Sequence, residues 1–227
     1  MLVIGNLKMY MTYEEVKTLI DNFDEDVILC PSAIFVPYFL NHKYKVGVQD
    51  ISMYDLGSHT GEISAKQAKA LGVSYTIVGH SERRKYNNET NEEINKKIIK
   101  GLENNLKVIL CVGENKDDDK EKVIERQLLE ALKDVSNFED LIIAYEPVWC
   151  IGTGITPTNE QIETTISFIQ TTIEKNFGKS AKVLYGGSVD KDNINTLKKI
   201  NNLSGFLIGK ASTDYRQLKE IVASLRD

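Results

Sequence analysis

Leu141-Ile142-Ile143-Ala144-Tyr145-Glu146-Pro147-Val148-Trp149-Cys150-Ile151-Gly152-Thr153-Gly154 is the stretch from which the fold is read. It opens as a short apolar run without alternation. A strand buried on both faces reads this way, and such strands belong to parallel sheets. A carboxylate, Glu146, stands where the strand stops. Pro147 stiffens the chain just beyond it, because its ring fixes φ and removes a backbone donor. The Gly152-Thr153-Gly154 end is loose, since glycine accepts backbone angles that other residues avoid. The stretch reads as a carboxylate base at the root of a lid, residues 147–154, with a flexible far hinge. The plainer reading is a surface loop with an incidental glutamate.

The same unit recurs in both directions. Short apolar runs predict strands at 2–6, 27–30, 45–49, 75–79, 107–112, 141–145, 182–185 and 206–208. Helical spacing of apolar residues predicts helices between them. Val16, Leu19, Ile20 and Phe23 mark 13–23, with Thr12 as N-cap. A short helix is read at 33–40, and one at 64–71 capped by Ser64. Ile94, Ile98 and Leu102 mark 91–104, and Ile124, Leu128 and Leu132 mark 120–133. Ile162, Ile166, Ile169 and Ile173 mark 159–176. Helices at 190–200 and 214–225 complete the series. Eight strand–helix units predict an α/β fold, a closed eight-stranded parallel (β/α)8 barrel with outer helices, as one domain over residues 1–227. An open doubly wound sheet is the alternative, but its first strand usually leads into G-x-G-x-x-G. Here it leads into Gly5-Asn6-Leu7-Lys8.

The totals fit that reading. The chain has 227 residues, 41% hydrophobic and 27% charged, enough for a sizeable core. A net charge of -5 argues against nucleic acid or an anionic membrane as partner, because both need a basic face. Cys30, Cys111 and Cys150 are odd in number and far apart, which predicts reduced thiols and a cytoplasmic location. The amino-terminal apolar run is too short for a signal peptide, and no stretch approaches a membrane span.

In such a barrel the active site is built from loops after the strands. Past strand one stand Asn6 and Lys8. Past strand four stand His80, Ser81 and Glu82, and past strand six Glu146. Past strand seven stand Gly186, Gly187 and Ser188, and past strand eight Gly209 and Lys210. Glycine-rich loops after strands seven and eight offer bare amides to a phosphate. His80 precedes a possible helix start, which biases its ring toward neutral imidazole. Lys8 offers a cation, Asn6 a donor and Glu146 a base. Together they suit proton abstraction next to a carbonyl in a small phosphorylated compound. Each has an ordinary reading alone: a surface lysine, a structural histidine, a turn. Glu82, flanked by arginines, reads as a structural ion-pair residue.

Seven segments resemble the triosephosphate isomerase family. They are Gly5-Asn6-Leu7-Lys8-Met9, Thr60-Gly61-Glu62-Ile63-Ser64, Gly79-His80-Ser81-Glu82-Arg83-Arg84, Cys111-Val112-Gly113-Glu114, residues 144–154, Tyr185-Gly186-Gly187-Ser188-Val189 and Gly205-Phe206-Leu207-Ile208-Gly209. They run in family order over nearly the whole chain. The resemblance implies a TIM barrel that interconverts dihydroxyacetone phosphate and glyceraldehyde 3-phosphate through an enediol(ate), in glycolysis and gluconeogenesis. It implies Glu146 as proton carrier, His80 as the ring that polarises the carbonyl, and Lys8 and Asn6 as stabilisers of charge on oxygen. Amides of Gly152, Ser188, Gly209 and Lys210 are expected to hold the phosphate. The lid is expected to exclude water. No metal or organic cofactor is implied. The loop carrying Thr60 resembles the family's dimer arm, so a homodimer is expected.

Three positions depart from the family pattern. Lys210 stands where a second glycine is usual, Cys150 where the lid usually has alanine, and Leu7 where an aromatic residue is usual. The chain is also short for the family, which implies trimmed outer helices or loops. A metal-using sugar-phosphate epimerase is one alternative, but His42, His59 and His80 show no ligand spacing. A phosphate-ligand binding protein that kept the fold without turnover is the other. It has no chemical need for Lys8, His80 and Glu146 together.

Overall fold

The computed structural model describes residues 1–151, 153 and 156–226. Among them, eight strands alternate with helices. The strands are β1 (Leu2–Asn6), β2 (Ile28–Cys30), β3 (Lys45–Val48), β4 (Tyr75–Val78), β5 (Lys107–Val112), β6 (Leu141–Tyr145), β7 (Lys182–Tyr185) and β8 (Gly205–Ile208). The α-helices are α1 (Tyr13–Asn22), α2 (Ala65–Leu71), α3 (Ser81–Tyr86), α4 (Asn91–Glu103), α5 (Lys120–Ala131), α6 (Asn159–Phe177), α7 (Ile194–Leu197) and α8 (Tyr215–Ser224). Every strand pairs with its sequence neighbour in parallel. β8 returns to β1, with Leu2 opposite Gly205 and Gly5 opposite Ile208. The sheet is therefore a closed (β/α)8 barrel, and the open-sheet alternative falls.

The unbroken apolar strands have a direct cause. Along β5, Val108, Leu110 and Val112 join the layer under the helices, while Ile109 and Cys111 join the barrel interior. Along β6, Leu141, Ile143 and Tyr145 face the helices, and Ile142 and Ala144 face inward. Both faces are dry, so polar residues have no place on either.

Helix starts follow a repeated device. Thr90 accepts from the Glu93 amide at 3.2 Å while the Glu93 carboxylate takes the Thr90 amide at 2.8 Å. Thr158 with Gln161 and Ser64 with Gln67 do the same. Each pair satisfies two amides that the helix start leaves without partners.

Two outer elements differ from the sequence expectation. The segment read as a helix over 33–40 is a 3-10 helix, Ala33–Phe39, with Pro37 inside it. Proline lacks the N–H and crowds the carbonyl four residues back, so an α-helix does not form there. The helix read over 190–200 shrinks to α7. There Asp190 accepts from the amides of Asp192 and Asn193 at 2.9 and 3.0 Å, and Asn193 accepts from the Asp190 amide at 3.0 Å. Side chains that bond their own backbone hold a turn in competition with a helix. The fourth unit carries an additional helix, α3, ahead of α4.

Candidate active site

Period-two register continues past the strand ends. Two residues beyond the inward-facing Ile4, Ile77, Cys111, Ala144, Leu184 and Leu207 stand Asn6, Gly79, Gly113, Glu146, Gly186 and Gly209. Four of these six are glycines. At these six positions only an amide and a carboxylate extend as side chains. A cavity of about 660 Å³ opens there, lined by Asn6, Lys8, His80 and Glu146 on one side and by residues 186–188, Gly209 and Lys210 on the other.

Close backbone approach explains two of the glycines. A Cβ on Gly113 would lie 1.7 Å from the Glu146 carbonyl oxygen, and one on Gly186 would lie 3.0 Å from Glu146 Cγ. The loops after β5 and β7 therefore press against the root of Glu146 from both sides.

Glu146 is 2% exposed. Its Oε1 lies 3.1 Å from His80 Nε2, and its Oε2 accepts from the Ser81 amide at 3.3 Å. Burial alone pushes the carboxyl up. The His80 ring, the Ser81 amide and the Lys8 ammonium outweigh it and hold Glu146 below the ordinary carboxylate value.

His80 is the N-cap of α3, and its Nδ1 accepts from the Glu82 amide at 3.2 Å. That bond places the neutral ring's proton on Nε2, which faces Glu146. Burial favours the neutral ring as well, but the facing carboxylate outweighs burial and raises the ring's proton affinity above its ordinary value. The two tendencies meet in this pair, and removing the carboxylate separates them. In Glu146→Gln the His80 titration followed by NMR shifts to lower pH than in the parent, because burial and Lys8 are then opposed only by the weaker effect of Glu82. An unchanged or higher midpoint contradicts this electrostatic account.

Lys8 sits in an uncommon backbone conformation, φ +48. A non-glycine residue there costs on the order of 1–3 kcal/mol and needs support. The support is visible. The Lys8 amide donates to Asn6 Oδ1 at 3.1 Å. Its carbonyl accepts from Ser32 Oγ and from Gln49 Nε2, each at 2.8 Å. Its Nζ lies 2.6 Å from Glu82 Oε1. The sequence reading takes Glu82 as an ion-pair residue among arginines, and its partner is instead Lys8. Arg83 pairs with Asp50 at 2.9 Å and Glu89 at 3.1 Å, and Arg84 binds the Gly79 carbonyl at 2.8 Å.

The root of the lid is anchored. The Val148 amide donates to the Glu114 carbonyl at 3.0 Å, and Trp149 Nε1 donates to Glu114 Oε1 at 3.0 Å. The Tyr145 hydroxyl reaches the same oxygen at 3.2 Å. Burial raises the Glu114 carboxyl, and the Trp149 and Tyr145 bonds oppose that. Sequence reading gave Glu114 no role. Its position just past the end of β5, where site residues of a barrel stand, was the available signal. Val148 to Cys150 form one 3-10 turn. Gly152 and Gly154 lie outside the described residues, and with them the flexible far hinge and one expected phosphate amide. Cys150 puts a thiol in the lid where the family usually has alanine. It is 0% exposed, and burial pushes its thiol to about 12, so it is a poor nucleophile in this state.

On the opposite wall Ser188 Oγ donates to the Cys150 carbonyl at 2.9 Å, which ties the β7 loop to the lid. Gly209 precedes a 3-10 turn that begins at Lys210, and the first amides of such a turn have no carbonyl inside it. The Lys210 side chain is exposed, with no ion pair to another described residue. Thr60 is exposed in the turn after β3, away from this cavity. Among the described residues no group of three or more His, Cys, Asp or Glu side chains is arranged to hold a metal ion. Nor is any helix among them long and apolar enough to cross a membrane.

Comparison with protein-family models matches residues 1–225 to the one described as triosephosphate isomerase. Among curated proteins, a triosephosphate isomerase of Clostridium botulinum (strain Okra / Type B1) is 39% identical over 97% of this chain and 98% of its own. One from Mycoplasmopsis agalactiae is 38% identical over 98% of this chain and 95% of its own. One from Thermodesulfovibrio yellowstonii is 36% identical over 97% of each. A match of this extent, on a closed barrel with these residues at its mouth, shows that the chain belongs to the triosephosphate isomerase family.

Proposed function

We propose that Glu146, His80, Lys8 and Asn6 carry out in this chain the family's reaction, the interconversion of dihydroxyacetone phosphate and D-glyceraldehyde 3-phosphate. One observation supports the assignment above the rest. Glu146 is a buried carboxylate kept ionised against its burial, facing the Nε2–H of His80 across the barrel mouth.

The substrate enters between these two groups, so their resting contact opens. Glu146 takes a proton from the carbon beside the carbonyl and returns it to the neighbouring carbon. His80 Nε2–H donates to the carbonyl oxygen, with Nδ1 held as acceptor by the Glu82 amide. The enediolate oxygens then carry negative charge, which the Lys8 ammonium and the Asn6 amide group stabilise. Ser81 and Glu82 act behind these groups, Ser81 on the resting carboxylate and Glu82 on Lys8.

The phosphate takes the amides of Ser188, Gly209 and Lys210, with Gly152 added from the lid. Closure of residues 147–154 over this cradle keeps water from the intermediate. The chemistry draws on protein groups and calls for no cofactor.

The same reading makes the chain a single barrel domain that works as a homodimer in the cytoplasm. Free Cys30, Cys111 and Cys150 suit a reducing compartment. The turn carrying Thr60 is prefolded, with Tyr54 and His59 stacked at 4.1 Å and the Ser52 amide bonded to the Ile63 carbonyl at 2.8 Å. Exposed Met9, Tyr54, Leu56 and Tyr86 offer apolar surface for a second copy.

A coupled assay of glyceraldehyde 3-phosphate conversion, with chelator present, tests the reading. Turnover that is indifferent to chelator supports it. A folded protein that binds the triose phosphate without converting it overturns it in favour of a binding protein.

A further inference from the structure

A second cavity, of about 390 Å³, lies on the other side of Glu146, between α3, the loop after β5 and α5. Among the described residues Glu146 lines both cavities, so its side chain is part of the wall between them. Val148, at the root of the lid, lines the second one as well.

The charge in this cavity is one-sided. Arg84, Lys85 and Arg126 all line it. Arg84 is half-buried, and its guanidinium is held by neutral acceptors. Nε donates to the Gly79 carbonyl at 2.8 Å, Nη2 to the Cys111 carbonyl at 3.2 Å and Nη1 to Asn91 Oδ1 at 2.5 Å. A guanidinium carries five N–H donors, so donors remain; the Glu89 and Glu146 charges act on it only from beyond ion-pair distance. Lys85 lies over the Tyr86 ring at 5.1 Å. Neither Lys85 nor Arg126 has an ion pair with another described residue. Asp118 is an acidic group on the wall, and its Oδ2 is taken by the Asn115 amide at 2.8 Å and Asn115 Nδ2 at 2.9 Å. The other is Glu146, turned to His80 and Ser81. Gln127 is also spent, exchanging bonds of 2.9 and 3.0 Å with the Gly113 backbone.

Three cations around one cavity, none in an ion pair with another described residue, make a site for a small multivalent anion. We propose that this cavity binds a phosphate-class oxyanion, free or as the head of a small phosphorylated metabolite, and that its occupancy slows catalysis through Glu146. The anion's charge favours protonation of Glu146 from behind, which removes the base form. It also lies against Val148, where the lid is anchored. The substrate's phosphate binds in the other cavity, so this inhibition does not compete with substrate.

The binding part stands on the cavity alone, and the kinetic part rests on the function proposed above. Inorganic phosphate is the probe, with ionic strength held constant by chloride because screening alone weakens such contacts. Lys85→Ala with Arg126→Ala removes two exposed cations outside the catalytic set. In the parent, phosphate lowers kcat as well as raising the apparent KM. In the double variant the effect on kcat needs about tenfold more phosphate, as expected for two partly exposed contacts, while the effect on KM stays. Calorimetric titration of the parent shows about two phosphates per subunit, and of the variant about one under the same conditions. Purely competitive inhibition with one phosphate per subunit in the parent overturns the proposal. So does an effect on kcat that survives the double substitution unchanged. If the parent has no turnover the catalytic reading fails, and the titration alone then decides the anion site.

Discussion

Glu146→Gln leaves the barrel intact and lowers kcat by about 10²–10⁴-fold, the usual contribution of a positioned acid–base group. The amide keeps the shape of the side chain and its place between the β5 and β7 loops. It cannot accept a proton from carbon. Because Glu146 is buried and packed under Gly113 and Gly186, water cannot readily take its place. KM changes little, since phosphate contacts on the opposite wall are untouched. Glu146→Asp keeps the carboxylate but withdraws it by roughly 1 Å, which costs on the order of 10²-fold. Thermal melting alongside the coupled assay separates lost chemistry from lost fold. A Gln variant with parental kcat removes Glu146 from the role of base.

Gly113→Ala gives the largest structural effect. The new Cβ would lie 1.7 Å from the Glu146 carbonyl oxygen and 2.6 Å from its carbonyl carbon. Neither partner yields easily. Gly113 is held on both sides by Gln127, and the Glu146 amide is bonded to the Val112 carbonyl at 2.8 Å. Relief therefore means parting the ends of β5 and β6. Overpacking of this kind costs about 3 kcal/mol, which in a chain of this size lowers Tm by about 6–12 °C. Activity falls as well, because Glu146 moves with its backbone. Calorimetry and the coupled assay read the two effects. A variant that melts within about 2 °C of the parent, at parental rate, shows that the strand ends separate freely.

Much of this was legible in the sequence because the barrel writes a regular code. Its strands are dry on both faces, so Leu141-Ile142-Ile143-Ala144-Tyr145 could only be a buried strand, and its neighbours repeated the pattern. Active-site groups follow strands, so Lys8, His80 and Glu146 were found by position before any partner was known. What failed was local. Pro37 inside an apolar run and the Asp190–Asn193 turn compete with helix formation through single bonds that spacing does not reveal. The Lys8 partner was missed because Glu82 lies 74 residues away and next to two arginines. Only folding shows that those arginines turn elsewhere. Glu114 was missed because a lid's anchor has no motif of its own. The burial of Cys150 was not legible because a loop position carries no record of burial.

The most direct test runs the isomerisation in deuterium oxide and locates the label in the product. Proton transfer through Glu146 predicts deuterium on the carbon that receives the proton in the parent, and loss of both turnover and label in Glu146→Gln. The extent of labelling reports how far the Glu146 carboxyl exchanges with solvent before it returns the proton. Labelled product from the Gln variant at the parental rate would mean another group carries the proton. That outcome contradicts the account.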